Sequence, residues 1–169
     1  MKRNSDNRKN HTTKGFTLVE LIVVIAIIGV LAAILVPSML GYVTKAKCSG
    51  ANSSAKSLFS ASMTACRESD VVHPIPDGIY STAANAGANI TYDDKICKYI
   101  YEYFGAAEGA YWAVKVVQDV PTATCIAKHT NDVYMGTYPN VNNKKQPSYT
   151  LEDAIAFAES GTGTGSWVN

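Results

Sequence analysis

Histidine is scarce in this chain, with three in 169 residues. His73 and His129 each stand alone beside a turn, with no metal-ligating partner at useful spacing, so they read as surface histidines. The four cysteines lack the short paired spacings of a zinc site; they are 18, 31 and 28 residues apart. Gly161, Gly163 and Gly165 have no strand before them and no helix after them, so a phosphate-binding loop is not expected. Lys144-Lys145 is the only paired basic site beyond the N-terminus and reads as a solvated loop. The chain offers no nucleophile beside a base and no metal cluster. An enzyme is not expected, nor is a cofactor or a metal.

Charge is missing almost entirely from one stretch. Between Phe16 and Val36 only Thr17 and Glu20 are polar. About 20 apolar residues suffice to cross the ~30 Å hydrocarbon core of a bilayer. A carboxylate inside such a span costs ~2.5–3.5 kcal/mol on insertion scales and needs a partner. No partner for Glu20 is evident in the sequence as written; a cut between Gly15 and Phe16 would create a cationic amine at the same end of the helix. Lys2, Arg3, Arg8, Lys9 and Lys14 stand against Asp6 before the run, so residues 1–15 carry +4 and the remainder −3. A positive start of this kind stays cytoplasmic and sends the downstream chain across the membrane. The run is longer than the core of a secretory signal, and Leu35-Val36-Pro37 is a poor cleavage site. A simple signal anchor explains the span and its flank but not Glu20, the Gly15-Phe16 junction or the place of Pro37.

The segment Lys14-Gly15-Phe16-Thr17-Leu18-Val19-Glu20, followed by an apolar run with Gly29 and Pro37, resembles the N-terminus of type IV pilins and pseudopilins, prepilins with a class III leader. The resemblance covers roughly residues 14–45. It implies that a prepilin peptidase cuts after Gly15 and that Phe16 becomes N-methylated. Counted from that cut, Glu20 and Pro37 fall where the family pattern places a glutamate and a proline. It further implies an assembly ATPase and a platform protein as partners, and a homopolymer as product. Glu20 is the expected assembly residue, its charge met by the Phe16 amine of a neighbouring subunit. Gly29 and Pro37 are the expected site of a helix break, since glycine is a poor helix former and proline removes a hydrogen bond and crowds the carbonyl of Ala33.

Helical character continues beyond the membrane. Leu40 to Arg67 holds no proline, and Val43, Ala46, Gly50, Ala51, Ala55, Leu58, Ser62 and Ala65 recur at three or four residues. As one helix, Phe16–Arg67 is ~78 Å long. The turn sequence Val72-His73-Pro74-Ile75-Pro76-Asp77-Gly78 ends it, and residues 79–93 read as loop. Asp93 is placed to cap a helix from Asp94 to Phe104, with Ile96, Cys97, Ile100 and Phe104 on one face. That cap explains the acidic pair Asp93-Asp94 more simply than a calcium site. Tyr111–Gln118, Ala123–Lys128 and Val133–Tyr138 read as strands, with Asp119-Val120-Pro121 and Thr130-Asn131-Asp132 as turns. A last helix begins after Thr150, and Trp167 and Val168 are candidates to anchor the tail. The aromatic group Tyr99, Tyr101, Tyr103, Phe104, Tyr111 and Trp112 reads as core and filament interface, with nucleic-acid stacking a weak alternative.

The expected fold class is therefore α+β, the pilin fold: a long N-terminal helix packed on a small antiparallel sheet. The expected divisions are a cleaved leader at residues 1–15, a transmembrane or filament-core half-helix at 16–40, an amphipathic half at 41–68, and a head at 69–169. Cys48, Cys66, Cys97 and Cys125 all lie beyond the span, where disulfides persist. Cys48 and Cys66 are ~27 Å apart on a continuous helix and cannot pair. Cys66–Cys97 with Cys48–Cys125 is favoured; Cys97–Cys125 with two helix thiols, or buried thiols throughout, remain open. The expected function is a type IV pilus subunit, held in the cytoplasmic membrane with its N-terminus inside and then polymerised outside the cell. The alternatives are a pseudopilin of a type II secretion or DNA-uptake system, or a tip adhesin or DNA-binding minor pilin.

Overall fold

The computed structural model describes residues 15–70, 75–82, 90–91 and 94–162. The leader before Gly15, His73, the expected Asp93 cap, and the tail with Trp167 and Val168 lie outside the described residues. The chain divides into two compact units, Met1–Leu40 and Gly41–Asn169. The first contributes the start of a 53-residue helix, α1 (Leu18–Asp70). The second holds the remainder of α1, then β1 (Gly78–Ser81), β2 (Ile90–Thr91), α2 (Asp94–Tyr103), a 3-10 turn (Gly105–Ala107), β3 (Tyr111–Val117), β4 (Val120–Ala127), β5 (Gly136–Tyr138) and α3 (Leu151–Ser160). The class is α+β, with four antiparallel strands in the order β1-β3-β4-β5 and β2 added in parallel at the β1 edge.

The alternation of β3 and β4 decides the layers. Trp112, Val114, Val116 and Ile126 point to one face and join Ala55, Leu58, Ala65 and Cys66 of α1 and Ile96, Cys97 and Ile100 of α2. Ala113, Ala123, Cys125 and Ala127 point to the other face and join Leu151, Ala154, Ile155, Phe157 and Ala158 of α3. Bulky residues on one face and small ones on the other place helices on both sides of the sheet. α2 and α3 begin where expected. Thr150 and Asp153 cap α3 reciprocally, and Gly161, with φ of 70°, ends it.

Several expectations need correction. β1 and β2 fall in the stretch read as loop; Gly78–Ser81 is short and carries only two apolar side chains, too few for a strand pattern, and is held by its pairing with β3. The β3–β4 turn is Gln118-Asp119, not Asp119-Val120-Pro121. Both residues have positive φ, 52° and 60°, as a two-residue hairpin turn requires. Asp119 Oδ1 accepts from the Ile75 N–H and Asp77 Oδ1 from the Gln118 N–H, each at 2.6 Å, which holds the turn. Pro121 is thereby inside β4, opposite Val116 at a bulge. β5 starts at Gly136 because the Tyr134 N–H is bonded at 3.0 Å to the Asp132 carboxylate rather than to a neighbouring strand. On α1, Val43, Ala46 and Gly50 are exposed; the covered face begins at Cys48 and continues through Asn52, Ala55, Leu58, Ser62 and Ala65.

α1 meets β5 without side chains between them. A Cβ built on Gly136 would lie 1.9 Å from the Ala51 carbonyl oxygen. Around this point sits a buried polar knot. Asn52 Oδ1 accepts from the Thr137 N–H (3.0 Å), and Asn52 Nδ2 donates to the Asn142 carbonyl (2.8 Å). Asn142 Nδ2 donates to the Met135 carbonyl, and Gln146 Nε2 donates to Asn142 Oδ1. Each amide is buried, so each bond replaces one that water would otherwise supply. Gly136→Ala must push β5 off α1 and is expected to cost ~3 kcal/mol. Denaturant unfolding of the detergent-solubilised chain measures it; a loss within ~0.5 kcal/mol, the range of ordinary surface changes, would show that the contact is not this close.

Candidate assembly site on the N-terminal helix

The first unit presents its chemistry at its N-terminal end. Phe16 is 93% exposed, and every large apolar side chain from Leu18 to Leu40 is at least 50% exposed. This is a helix apolar on all sides and long enough to cross a membrane, with its large apolar side chains exposed among the described residues. Its polar exception is tied down locally. The Thr17 N–H donates to Glu20 Oε2 at 2.8 Å, the Thr17 hydroxyl donates to the same oxygen at 2.7 Å, and the Glu20 N–H donates to Thr17 Oγ1 at 3.3 Å. This is a capping box, in which the hydroxyl and the carboxylate satisfy backbone N–H groups that a helix start leaves without partners. Glu20 therefore has a partner within the chain, contrary to the expectation from sequence. The signal was legible as Thr-x-x-Glu at the start of an apolar run.

The site contains one carboxylate with both bonds from Thr17 on Oε2, so Oε1 is the oxygen left to face another group. A negative charge in the first turn also complements the positive end of the helix dipole. A Cβ at Gly15 or at Gly29 would meet nothing within 4 Å. Any requirement for glycine at either position therefore arises outside the isolated chain. In the isolated chain α1 runs through both Gly29 and Pro37. One glycine and one missing hydrogen bond cost ~1 and ~3 kcal/mol in a helix interior, and the turns on either side retain their bonds.

The cysteines are all buried, and Cys48, Cys66 and Cys125 carry thiols. The Cys66–Cys97 bond is thus not made in the structure, although both side chains lie in the cluster between α1, α2 and the sheet. Cys48–Cys125 is ruled out by the fold. The Thr124 hydroxyl donates to the Ala55 carbonyl of α1 at 2.9 Å, so its neighbour Cys125 points to the α3 face. The same argument excludes Cys97–Cys125. Burial pushes the Cys66 thiol up to about 11, with help from Asp119, and the Cys125 thiol up to about 12. Cys48 is raised too, again by burial, partly offset by Lys145.

Among the described residues no group of histidines, cysteines and acids is arranged to hold a metal ion. His129 is exposed. Of the aromatic group, Trp112 is core, with its indole N–H donating to the Ala107 carbonyl, and Tyr103 is exposed. The second unit also bears an open groove of ≈ 720 Å³ between α1, the 3-10 turn and the end of β4, lined by Lys47, Lys128 and Tyr134 among others.

These geometries agree with what comparison finds. Residues 10–36 match the family model for the prokaryotic N-terminal methylation motif. The chain is 41% identical over 64 residues to the type IV major pilin protein PilA of Myxococcus xanthus (strain DK1622), which is 38% of this chain and 29% of that one. It is 58% identical over 38 residues to a fimbrial protein of Moraxella nonliquefaciens, covering 22% of this chain and 25% of the relative. A type IV major alpha-pilin of Moraxella bovis is 59% identical over 34 residues, 20% and 21% of the two chains. The chain thus spans under a third of each of these relatives. No solved structure matches.

The thiols supply a test of the two-faced sheet. At pH 8, iodoacetamide should leave Cys66 and Cys125 unlabelled in the folded chain and label both after denaturation. The unfolded thiols titrate near 8.5. Because the folded ones are raised, their contribution to stability is complete below that pH and declines as pH climbs toward 11. Cys125→Ala should flatten that alkaline decline. A non-reducing peptide map with any Cys125 linkage would contradict the layer order. The chain thus carries the prokaryotic N-terminal methylation motif, and over that N-terminal segment it is similar to type IV pilins.

Proposed function

We propose that the chain is the structural subunit of a type IV pilus. The observation that carries this reading is the stretch of α1 from Leu18 to Leu40, apolar on every side, with its large side chains exposed among the described residues and one carboxylate in its first turn. Burying one such side chain gains ~1.5–3 kcal/mol, so the segment requires either lipid or other copies of itself. In the bilayer, the basic leader keeps the N-terminus on the cytoplasmic side and the head lies outside. Peptidase cleavage between Gly15 and Phe16 then creates an amine beside Thr17. Glu20 Oε1 receives the Phe16 amine of a neighbouring subunit while Oε2 keeps its bonds to Thr17. Pairing the two charges offsets the cost of holding either in a dry filament core. The prepilin peptidase, an assembly ATPase and a membrane platform are the implied partners. The names of the relatives, major pilin and fimbrial protein, favour a pilus over a pseudopilus.

Processing is tested by N-terminal sequencing of membrane and filament fractions, which should begin at N-methyl-Phe16. An intact Met1 in assembled protein would sink the cleavage step. Electron microscopy of sheared surface filaments, with mass spectrometry of their main subunit, separates a pilus from a short pseudopilus.

Glu20 has two roles that substitution can separate. Glu20→Gln keeps an oxygen to accept from Thr17 but removes the charge; Glu20→Ala removes both. If the charge docks the neighbouring amine, both variants should insert and be cleaved, and both should lower filament yield by ~10-fold or more, since unpairing a buried charge costs ~3–5 kcal/mol. Normal yield from Glu20→Gln would mean that the residue acts only as a helix cap.

A further inference from the structure

The charges of the second unit are sorted to two ends of its part of α1. At one end, Lys47 Nζ lies 4.9 Å from the centroid of the Tyr134 ring, and Lys145 Nζ lies 5.7 Å from the same centroid. The ring attracts both ammonium groups, but they repel each other. Lys128 lines the same groove as Lys47 and Tyr134, and Lys45 and Lys144 adjoin in sequence, all exposed. Glu108 and Asp132 also line the groove. Asp132 Oδ1 is occupied by the Tyr134 N–H, and among the described residues the ion pair is Lys115–Glu159, which involves neither acid. The lining itself balances, Lys47 and Lys128 against Glu108 and Asp132, and the positive surplus at this end comes from Lys145 over Tyr134 and from the neighbouring Lys45.

At the other end the sign is reversed. The Tyr103 hydroxyl donates to the Glu68 carboxylate, and Glu102 acts on the same phenol. Asp119 bears on the Cys66 thiol, two residues before Glu68. Asp77 and Asp119 hold opposite sides of the β3–β4 turn. Arg67 and Lys98 are the cations nearest in sequence. From Lys47 to Glu68, α1 rises ~31 Å.

We infer that these two ends dock on each other between copies: the lysine groove of one subunit receives the Glu68 and Glu102 end of a second copy displaced by about 30 Å along the helix axis. The inference rests on the filament reading and adds to it a device that sets the stagger. Copies side by side without a shift would place lysines against lysines and acids against acids, which is repulsive at both ends. A shift of one pole-to-pole distance makes both contacts attractive. Such a contact is heterologous and does not close on itself, so it continues into an open filament rather than stopping at a dimer. The contact is exposed to solvent and weakens with salt, because screening acts over ~10 Å at 0.1 M.

Zero-length carbodiimide coupling of the full chain tests it, with isotope-labelled and unlabelled chains mixed in detergent and, separately, co-expressed for filaments. Expected are intermolecular Lys47 or Lys145 links to Glu68 or Glu102, lost in high salt. Charge exchange gives the second arm. Lys47→Glu with Lys145→Glu, and Glu68→Lys with Glu102→Lys, should each lower filament yield by ~10-fold, a barrier of ~1.4 kcal/mol or more. The four changes together should restore it. Filaments that form normally, with no such links and no rescue, overturn the inference and leave the pilin reading intact. Links between copies of a chain that forms no filaments do the reverse. If the lysine changes instead reduce only retention on phosphatidylglycerol vesicles, the groove serves a lipid surface and the inference fails.

Discussion

One helix carries two apolar surfaces, and among the described residues only one of them is buried. From Cys48 onward α1 buries a face of small residues against the sheet. Before Leu40 its large apolar side chains are exposed among the described residues. An uncovered apolar cylinder is intolerable in water, so this stretch calls for lipid or another apolar surface around it. That demand explains why the only carboxylate in the stretch sits in its first turn. There, Thr17 and the helix dipole already stabilise it, and one oxygen remains for a cation from elsewhere.

The covered part of α1 is held by contacts of a different kind. Leu58, Ala55 and Ala65 supply ordinary apolar burial. Specificity of position comes from the polar knot of Asn52, Thr137, Asn142 and Gln146, and from the absence of a side chain at Gly136. A sliding helix would leave several buried amides without partners, at ~1–3 kcal/mol each. The knot thus fixes the axial position of α1 on the sheet, and with it the separation of the lysine groove from the acidic end. The small residues on the far face of the sheet, Ala113, Ala123, Cys125 and Ala127, let α3 approach closely and seal the second core.

Much of the architecture was legible in order. The long helix, the helix after residue 93, the strands beginning at Tyr111 and the helix after Thr150 all follow from hydrophobic period and capping residues, which are local signals. β1 and β2 were not legible. Their residues show no alternation of their own, and they are strands because β3 offers an edge. The turn at Gln118-Asp119 was displaced by one residue because Pro121 looked like punctuation, while its role is that of a strand residue at a bulge.

The assembly site divides in the same way. Sequence alone picked out Gly15, Phe16 and Glu20 as candidates, together with the apolar run, because a membrane-spanning composition and a processing motif are properties of consecutive residues. It also held the Thr17–Glu20 box, three residues apart, in plain view. Only the tertiary structure decided which cysteines share a core, that Cys125 faces α3, and that Lys47 and Lys145, 98 residues apart in the chain, meet over Tyr134. These are consequences of which face each strand turns to which helix. A shift of one residue in register reverses every such facing, and no local pattern records the register that packing selects.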